Sequence, residues 1–135
     1  MSTPERIHER KNLRTVIQKA ARALKQEGFS IVAEIRIAQE CAEAGTRDQG
    51  DCSILLVCNP VLAYKAVSLD SRTGVLLTSR IAFHERDDGN VSVSTFNPLE
   101  CMEENIATSP LEDVFVEVAH HLRRAIDRLQ SRESY

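Results

Sequence analysis

The sequence predicts an α+β fold, a small two-layer sandwich in which a mixed sheet of roughly four strands carries helices packed on one face. Three observations predict it. Apolar residues recur at three- and four-residue intervals near both ends of the chain, and four β-rich runs lie between them. The resulting order is helix, strand, short helix, strand, helix, strand, strand, helix, helix, which such a sandwich accommodates economically. With 135 residues, such a chain buries roughly two-thirds of its unfolded surface and needs neither metal nor disulfide to fold. No internal repeat, low-complexity tract or linker divides it, so residues 1–135 read as one domain with short flexible ends.

The first helix is predicted from Ile7 to Glu27, with Leu13, Val16, Ile17, Ala20, Ala21 and Leu24 as its apolar stripe. Gly28 stands where a helix end favours a left-handed residue. Phe29, Ile31, Ala33, Ile35 and Ile37 then alternate with Ser30, Val32, Glu34 and Arg36, the pattern of a half-buried strand with one wet face. A short helical piece follows from Gln39 to Ala44, and the polar, glycine-containing stretch Gly45 to Asp51 is a loop. The run Ser53-Ile54-Leu55-Leu56-Val57 reads as a strand covered on both faces. Asn59 as cap and Pro60 as first helical residue open a helix to Ser68, closed by Asp70 to Gly74. Val75–Glu85 and Val91–Phe96 are predicted antiparallel neighbours, joined through Asp88-Gly89. A short helical segment runs from Asn97 to about Ile106. Ser109-Pro110-Leu111-Glu112 has the capping-box form for a last helix, with Val114, Phe115, Val118, Leu122, Ile126 and Leu129 as its stripe.

Composition excludes several function classes. A net charge of -3 argues against a dedicated nucleic-acid binder, which is usually basic. The charge is uneven, however: residues 1–36 hold eight Lys/Arg against four Asp/Glu, and the remainder nine against sixteen. Arg10, Arg14, Arg22 and Lys25 thus form a basic first helix, a pattern that usually marks a solvated face. The start Met1-Ser2-Thr3-Pro4-Glu5-Arg6 has no secretory apolar core, and no stretch reaches the roughly 20 apolar residues of a membrane span. A cytoplasmic protein is expected, with no membrane partner and with Cys41, Cys52, Cys58 and Cys101 reduced.

The chemistry-bearing candidate is the strand-to-helix corner Cys58-Asn59-Pro60. A thiol there would feel the positive end of the helix dipole, which lowers its pKa and favours anions nearby. The alternative is that Cys58 is a small buried hydrophobe and Asn59-Pro60 merely starts a helix. Tyr64 lies about one turn along, where its hydroxyl could reach back over the corner, or where its ring could simply edge the core. Metal binding is not expected. Cys52, Cys58, Cys101, His84, His120 and His121 lack zinc-site spacing, and His120 and His121 diverge by about 100° on a helix. Gly28, Gly45, Gly50, Gly74 and Gly89 are scattered, so no phosphate loop or dinucleotide fingerprint exists and no cofactor is expected. Asp87-Asp88 and Glu103-Glu104 read as solvated charge rather than as an acid–base pair.

Cys58-Asn59-Pro60 with Leu62-Ala63-Tyr64-Lys65-Ala66, then Gly74-Val75-Leu76-Leu77, and later Asn97-Pro98-Leu99 with Met102, resembles the domain of unknown function 302 family. Glu27-Gly28-Phe29 and the strand through Glu34-Ile35 fit the same pattern, and the resemblance covers residues 13–129. It implies a compact α+β domain that tends to form homodimers, with no established reaction or cofactor, and a setting connected in some members with sulfur metabolism. Many relatives place Pro-Cys after the Gly-x-Leu-Leu segment. Thr78-Ser79 stands there in this chain, so a mechanism needing a second cysteine is put in doubt.

Three functions are carried forward. The first is a homodimeric binding domain for a small anion or thiol-bearing metabolite, with Cys58 in thiol contact, Asn59 holding the anion, and Tyr64 and Ser79 lining the pocket. The second is a thiol-dependent enzyme or sulfur carrier in which Cys58 is the catalytic nucleophile. The third is a structural partner subunit.

Overall fold

The computed structural model describes residues 5–8, 12–37, 52–76, 78–86, 89–95 and 109–131. In chain order the elements are β1 (Glu5–His8), α1 (Leu13–Gln26), β2 (Ser30–Arg36), β3 (Cys52–Cys58) and α2 (Pro60–Leu69). A 3-10 turn (Ser71–Leu76), β4 (Ser79–Glu85), β5 (Val91–Thr95) and α3 (Ser109–Ser131) follow. The α+β class and the single helical layer are as predicted. The helices predicted at Gln39–Ala44 and Asn97–Ile106 lie outside the described residues.

Helix α1 begins later than the sequence reading placed it. Asn12 is its cap, and the Asn12 Oδ1 accepts from the Thr15 N–H at 2.8 Å. The residues before it turn away: Ile7 pairs with Ser92 and His8 with Val91, so this stretch forms the edge strand β1. The apolar period starts only at Leu13, and Asn12 supplies the stop that Ile7 obscured. At the other end Gly28 takes φ +91°. Its N–H donates to the Lys25 carbonyl at 3.1 Å and the Phe29 N–H to the Leu24 carbonyl at 3.0 Å. That pair of bonds is a Schellman termination, which needs a left-handed residue.

The sheet has five strands in the order β1-β5-β4-β3-β2, and every neighbouring pair is antiparallel. The expected mixed sheet is therefore corrected. The decisive connection is the one through α2: the chain leaves β3 at Cys58 and re-enters the sheet with Ser79 paired to Val57, at the end it left. A strand entered at that end runs antiparallel. The 3-10 turn makes the return, and it takes up Val75 and Leu76, which the sequence reading assigned to a strand. Local bonds wind it: the Asp70 carboxylate accepts from the Arg72 N–H at 2.9 Å, and the Asp70 carbonyl from the Thr73 N–H at 3.0 Å and its hydroxyl at 2.8 Å. The hairpin between β4 and β5 is as predicted, with the Arg86 N–H donating to the Asn90 carbonyl at 2.7 Å and Gly89 at φ +88°.

Helices α1 and α3 pack on one face of the sheet. The core joins Leu13, Val16, Ile17, Ala20 and Leu24 of α1 and Leu122, Ile126 and Leu129 of α3 to Leu55, Val57, Ile81, Phe83, Val91 and Val93 of the strands. Fully burying a side chain such as Phe83 contributes about 2 to 3 kcal/mol. A second cluster, Leu62, Ala66, Leu111, Val114 and Phe115, fixes α2 against the first turns of α3.

The other face of the sheet is half open. Ser53, Leu55 and Val57 are buried while Cys52, Ile54, Leu56 and Cys58 are only half-buried, so β3 is not covered equally on both sides as expected. The reason lies partly in β2, where a bulge falls between Ile31 and Ala33. Ile31 still pairs with Val57 and faces the helices, but Ala33 pairs with Leu56 and Ile35 with Ile54. The extra residue turns the predicted alternation inside out: Ile35 comes to be 37% exposed and Val32 61%. Glu34 meanwhile moves to the helical side, where Arg14 of α1 grips its carboxylate with two bonds of 2.8 and 3.1 Å.

Candidate functional site

The corner after β3 is built as the residue types require. Asn59 caps α2, its Oδ1 accepting from the Leu62 N–H at 3.3 Å, and Pro60 occupies the position that needs no donor. The Asn59 Nδ2 donates to the Glu27 carbonyl at 3.2 Å, which ties the start of α2 to the end of α1. Asn59 is 8% exposed, so both ends of its amide are committed within the fold. Gly28 completes the fit, because a Cβ there would lie 3.2 Å from the Asn59 Nδ2.

The four residues predicted for this site are spread around it. Cys58 follows the outward parity of β3, with Cys52, Ile54 and Leu56. Ser79 pairs with Val57 and is buried on the helical side, so it and Cys58 face opposite sides of the sheet. Tyr64 lies on the side of α2 away from Leu62 and Ala66 and is 77% exposed. Burial pushes the Cys58 thiol above its ordinary pKa, a direction opposite to activation by a helix N-terminus. No disulfide involves Cys52 or Cys58, whose six-residue separation along one strand spans roughly 20 Å.

The strongest electrostatic feature lies beside the corner and was missed in the sequence. Glu27, whose side chain is 4% exposed, receives the His121 Nδ1 at 2.6 Å, the Arg128 guanidinium at 2.7 Å and the Arg124 Nε at 3.3 Å. An ionised carboxylate has no proton to give, so the His121 Nδ1 carries the hydrogen of this bond. The His121 hydrogen bond, aided by the charges of Arg124 and Arg128, outweighs burial and holds Glu27 below the usual carboxylate range. Arg128 is anchored further, its second nitrogen donating to the Gln26 Oε1 at 2.6 Å and the Ala23 carbonyl at 3.4 Å. The spacing of 121, 124 and 128 on one helix side is the signal that could have revealed the cluster.

Among the described residues no group of three or more His, Cys, Asp or Glu side chains could hold a metal ion, and no helix is long and apolar enough to cross a membrane. The family model for the domain of unknown function DUF302 matches residues 6–129. The chain belongs to the DUF302 family. A crystal structure of an uncharacterized conserved DUF302 protein from Bacillus stearothermophilus superposes with a TM-score of 0.83 at 20% identity, over 96% of this chain and 98% of that one. At that identity the likeness concerns the fold. No curated protein shows significant similarity.

Within the DUF302 fold, the position of Ser79 takes on a spatial meaning. Ser79 faces the helices and Cys58 the open side of the sheet, so a cysteine at position 79 would not meet Cys58 across this sheet.

Proposed function

We propose that the protein is a homodimeric binding domain of the cytoplasm that holds a small thiol-bearing or anionic ligand at the Cys58 corner. The open sheet face carries the reading. Ile35, Ile54, Leu56 and Ala82 give it an apolar strip flanked by Arg80 and His84, none of the four enters either core cluster, and Cys58 opens onto it. Covering such a face with a second copy is the ordinary remedy for exposed apolar surface. A thiol with a raised pKa stays protonated near neutral pH, which suits contact with a ligand better than nucleophilic attack and disfavours the enzyme or sulfur-carrier reading.

The test is the mass in solution. Light scattering of the wild type should give twice the mass of the chain, and Ile35→Asp, placing a charge on the open face, should give a folded monomer with unchanged circular dichroism. A wild type that stays monomeric at high micromolar concentration refutes the dimer. A partner protein that co-purifies in stoichiometric amount and persists in Cys58→Ser would transfer the face to the third function, a partner subunit.

A further inference from the structure

His120 and His121 are adjacent on α3 but meet different surroundings. His121 is anchored inward, its Nδ1 donating at 2.6 Å to the Glu27 Oε1 of a carboxylate that is 4% exposed. His120 is exposed, closes no hydrogen bond or ion pair among the described residues, and meets the His121 ring edge-on with centroids 5.8 Å apart.

Because Nδ1 carries the hydrogen of the bond to Glu27, the neutral His121 ring holds its lone pair on Nε2. That nitrogen lies across the ring from the carboxylate and has no partner among the described residues, and the side chain is still 30% exposed. A carboxylate on one imidazole nitrogen makes the other more basic and stabilises the positive charge that a new bond there creates. The pair therefore has the form of an oriented nucleophile, a base position held by a third group.

Arg124 narrows the electrophile. It follows His121 by three residues and so shares its side of the helix. Its Nε stands 3.3 Å from the Glu27 Oε2, while its two terminal nitrogens close no bond among the described residues and its side chain is 54% exposed. A group joined to Nε2 thus meets the outer edge of a guanidinium, which suits the charged oxygens of a phosphoryl group and offers nothing to an alkyl group. Arg128 takes no part, since its nitrogens are committed to Glu27, Gln26 and the Ala23 carbonyl.

We infer that His121 is a phosphoryl-accepting histidine, modified at Nε2 by a donor with a labile P–N bond, with Glu27 and Arg124 as positioning residues. In the step the Nε2 lone pair forms an N–P bond and the donor's P–N bond breaks. Its electron pair leaves on the departing amine, which keeps the protons already on the donor nitrogen. The positive charge left on the ring is held at Nδ1–H against Glu27, and the phosphoryl oxygens accept from Arg124. The site is independent of the dimer and of Cys58.

Incubation of the full chain with potassium phosphoramidate at pH of about 8, where an ordinary imidazole is neutral, tests it. Phosphorus NMR and peptide fragmentation under non-acidic conditions read the site and the attached nitrogen. His121 should be labelled at Nε2, at least about fivefold faster than its exposed neighbour His120. Glu27→Gln, which keeps an acceptor for Nδ1 but not the charge, should slow His121 about tenfold and leave His120 unchanged. Glu117→Gln removes an equal charge four residues before His121, from a side chain that closes no bond to the ring, and should change the rate by less than about twofold. Arg124→Ala should slow labelling about threefold, and Arg124→Lys should recover part of the loss. Labelling of His120 as fast as His121, attachment at Nδ1, or no phosphohistidine at position 121 overturns the proposal. Equal slowing in Glu117→Gln and Glu27→Gln does so too, because it reduces the effect to the general charge of the surface. Should Glu27→Gln fail to fold by circular dichroism, the rates of His121 and His120 within the wild type decide.

Discussion

The Cys58–Asn59 corner and the Glu27 cluster stand one hydrogen bond apart, from the Asn59 Nδ2 to the Glu27 carbonyl, yet they use their polar groups in different ways. At the corner each end of the Asn59 amide closes a bond within the fold, and burial raises the pKa of the thiol beside it. At the cluster one buried carboxylate gathers three partners from α3, and the Arg128 side chain that it anchors also lines an open groove. Motif density along a chain thus differs from availability in space. A polar residue that satisfies backbone at an element junction is already occupied, whereas one held by a buried counter-charge can present a remaining edge to a ligand.

The comparison breaks most visibly at Glu27. Glu27→Ala should destabilise the protein by about 3 kcal/mol, read from the midpoint and slope of urea unfolding, because α1 and α3 lose their shared charged junction. A loss below about 1 kcal/mol would show that the cluster is an exposed, screened arrangement after all. The pH dependence has a defined sign. Glu27 is held below its ordinary value, so its contribution is complete above the ordinary carboxylate pKa and is lost as pH falls through the lower folded value. Wild type should therefore lose more stability than Glu27→Gln between neutral pH and pH of about 3, and parallel curves would contradict the assignment.

A smaller effect is expected one bond away. Asn59→Ala removes the α2 cap and the tie to α1 together, at about 2 kcal/mol, while Asn59→Asp keeps the cap and should recover about half. If Asn59→Asp were as damaging as alanine, the bond to the Glu27 carbonyl would dominate the corner. The smallest expected effect is at Cys58. Its alkylation by iodoacetamide at pH 7 should be slower than that of an unperturbed thiol, and Cys58→Ser should alter stability by under about 1 kcal/mol. Fast, selective alkylation would restore the nucleophile reading and sharpen the corner into a catalytic candidate.

Much of the fold could be read without coordinates because local physics is explicit in particular residues. The stripe from Leu13 to Leu24 with Gly28 behind it, the Asn59-Pro60 start of α2 and the Asp88-Gly89 hairpin each carry a mechanism in two or three residues. The misses share a different cause. Ile7 and His8 pair with β5, more than eighty residues away in sequence, and nothing within the local window reports that partner. The all-antiparallel order depends on where the 3-10 turn delivers the chain. The Glu27 cluster joins residues about a hundred positions apart, so its members read as separate surface charges until α1 and α3 are laid side by side. Cys58 and Ser79 were grouped by motif proximity, although β-strand alternation directs them to opposite sides.

The bulge in β2 has a consequence out of proportion to its size. One residue, Val32, sets the phase of everything that follows it in the strand. Straightened, with Val32 taken into the ladder opposite Leu56, the strand would return Ile35 beneath the helices and swing Glu34 outward away from Arg14, so the open side of the sheet would gain a carboxylate. Stickiness and solubility on that surface are therefore governed by an odd or even count rather than by composition. An insertion or deletion of a single codon beyond the bulge exchanges which side chains this surface shows without replacing any of the residues that remain.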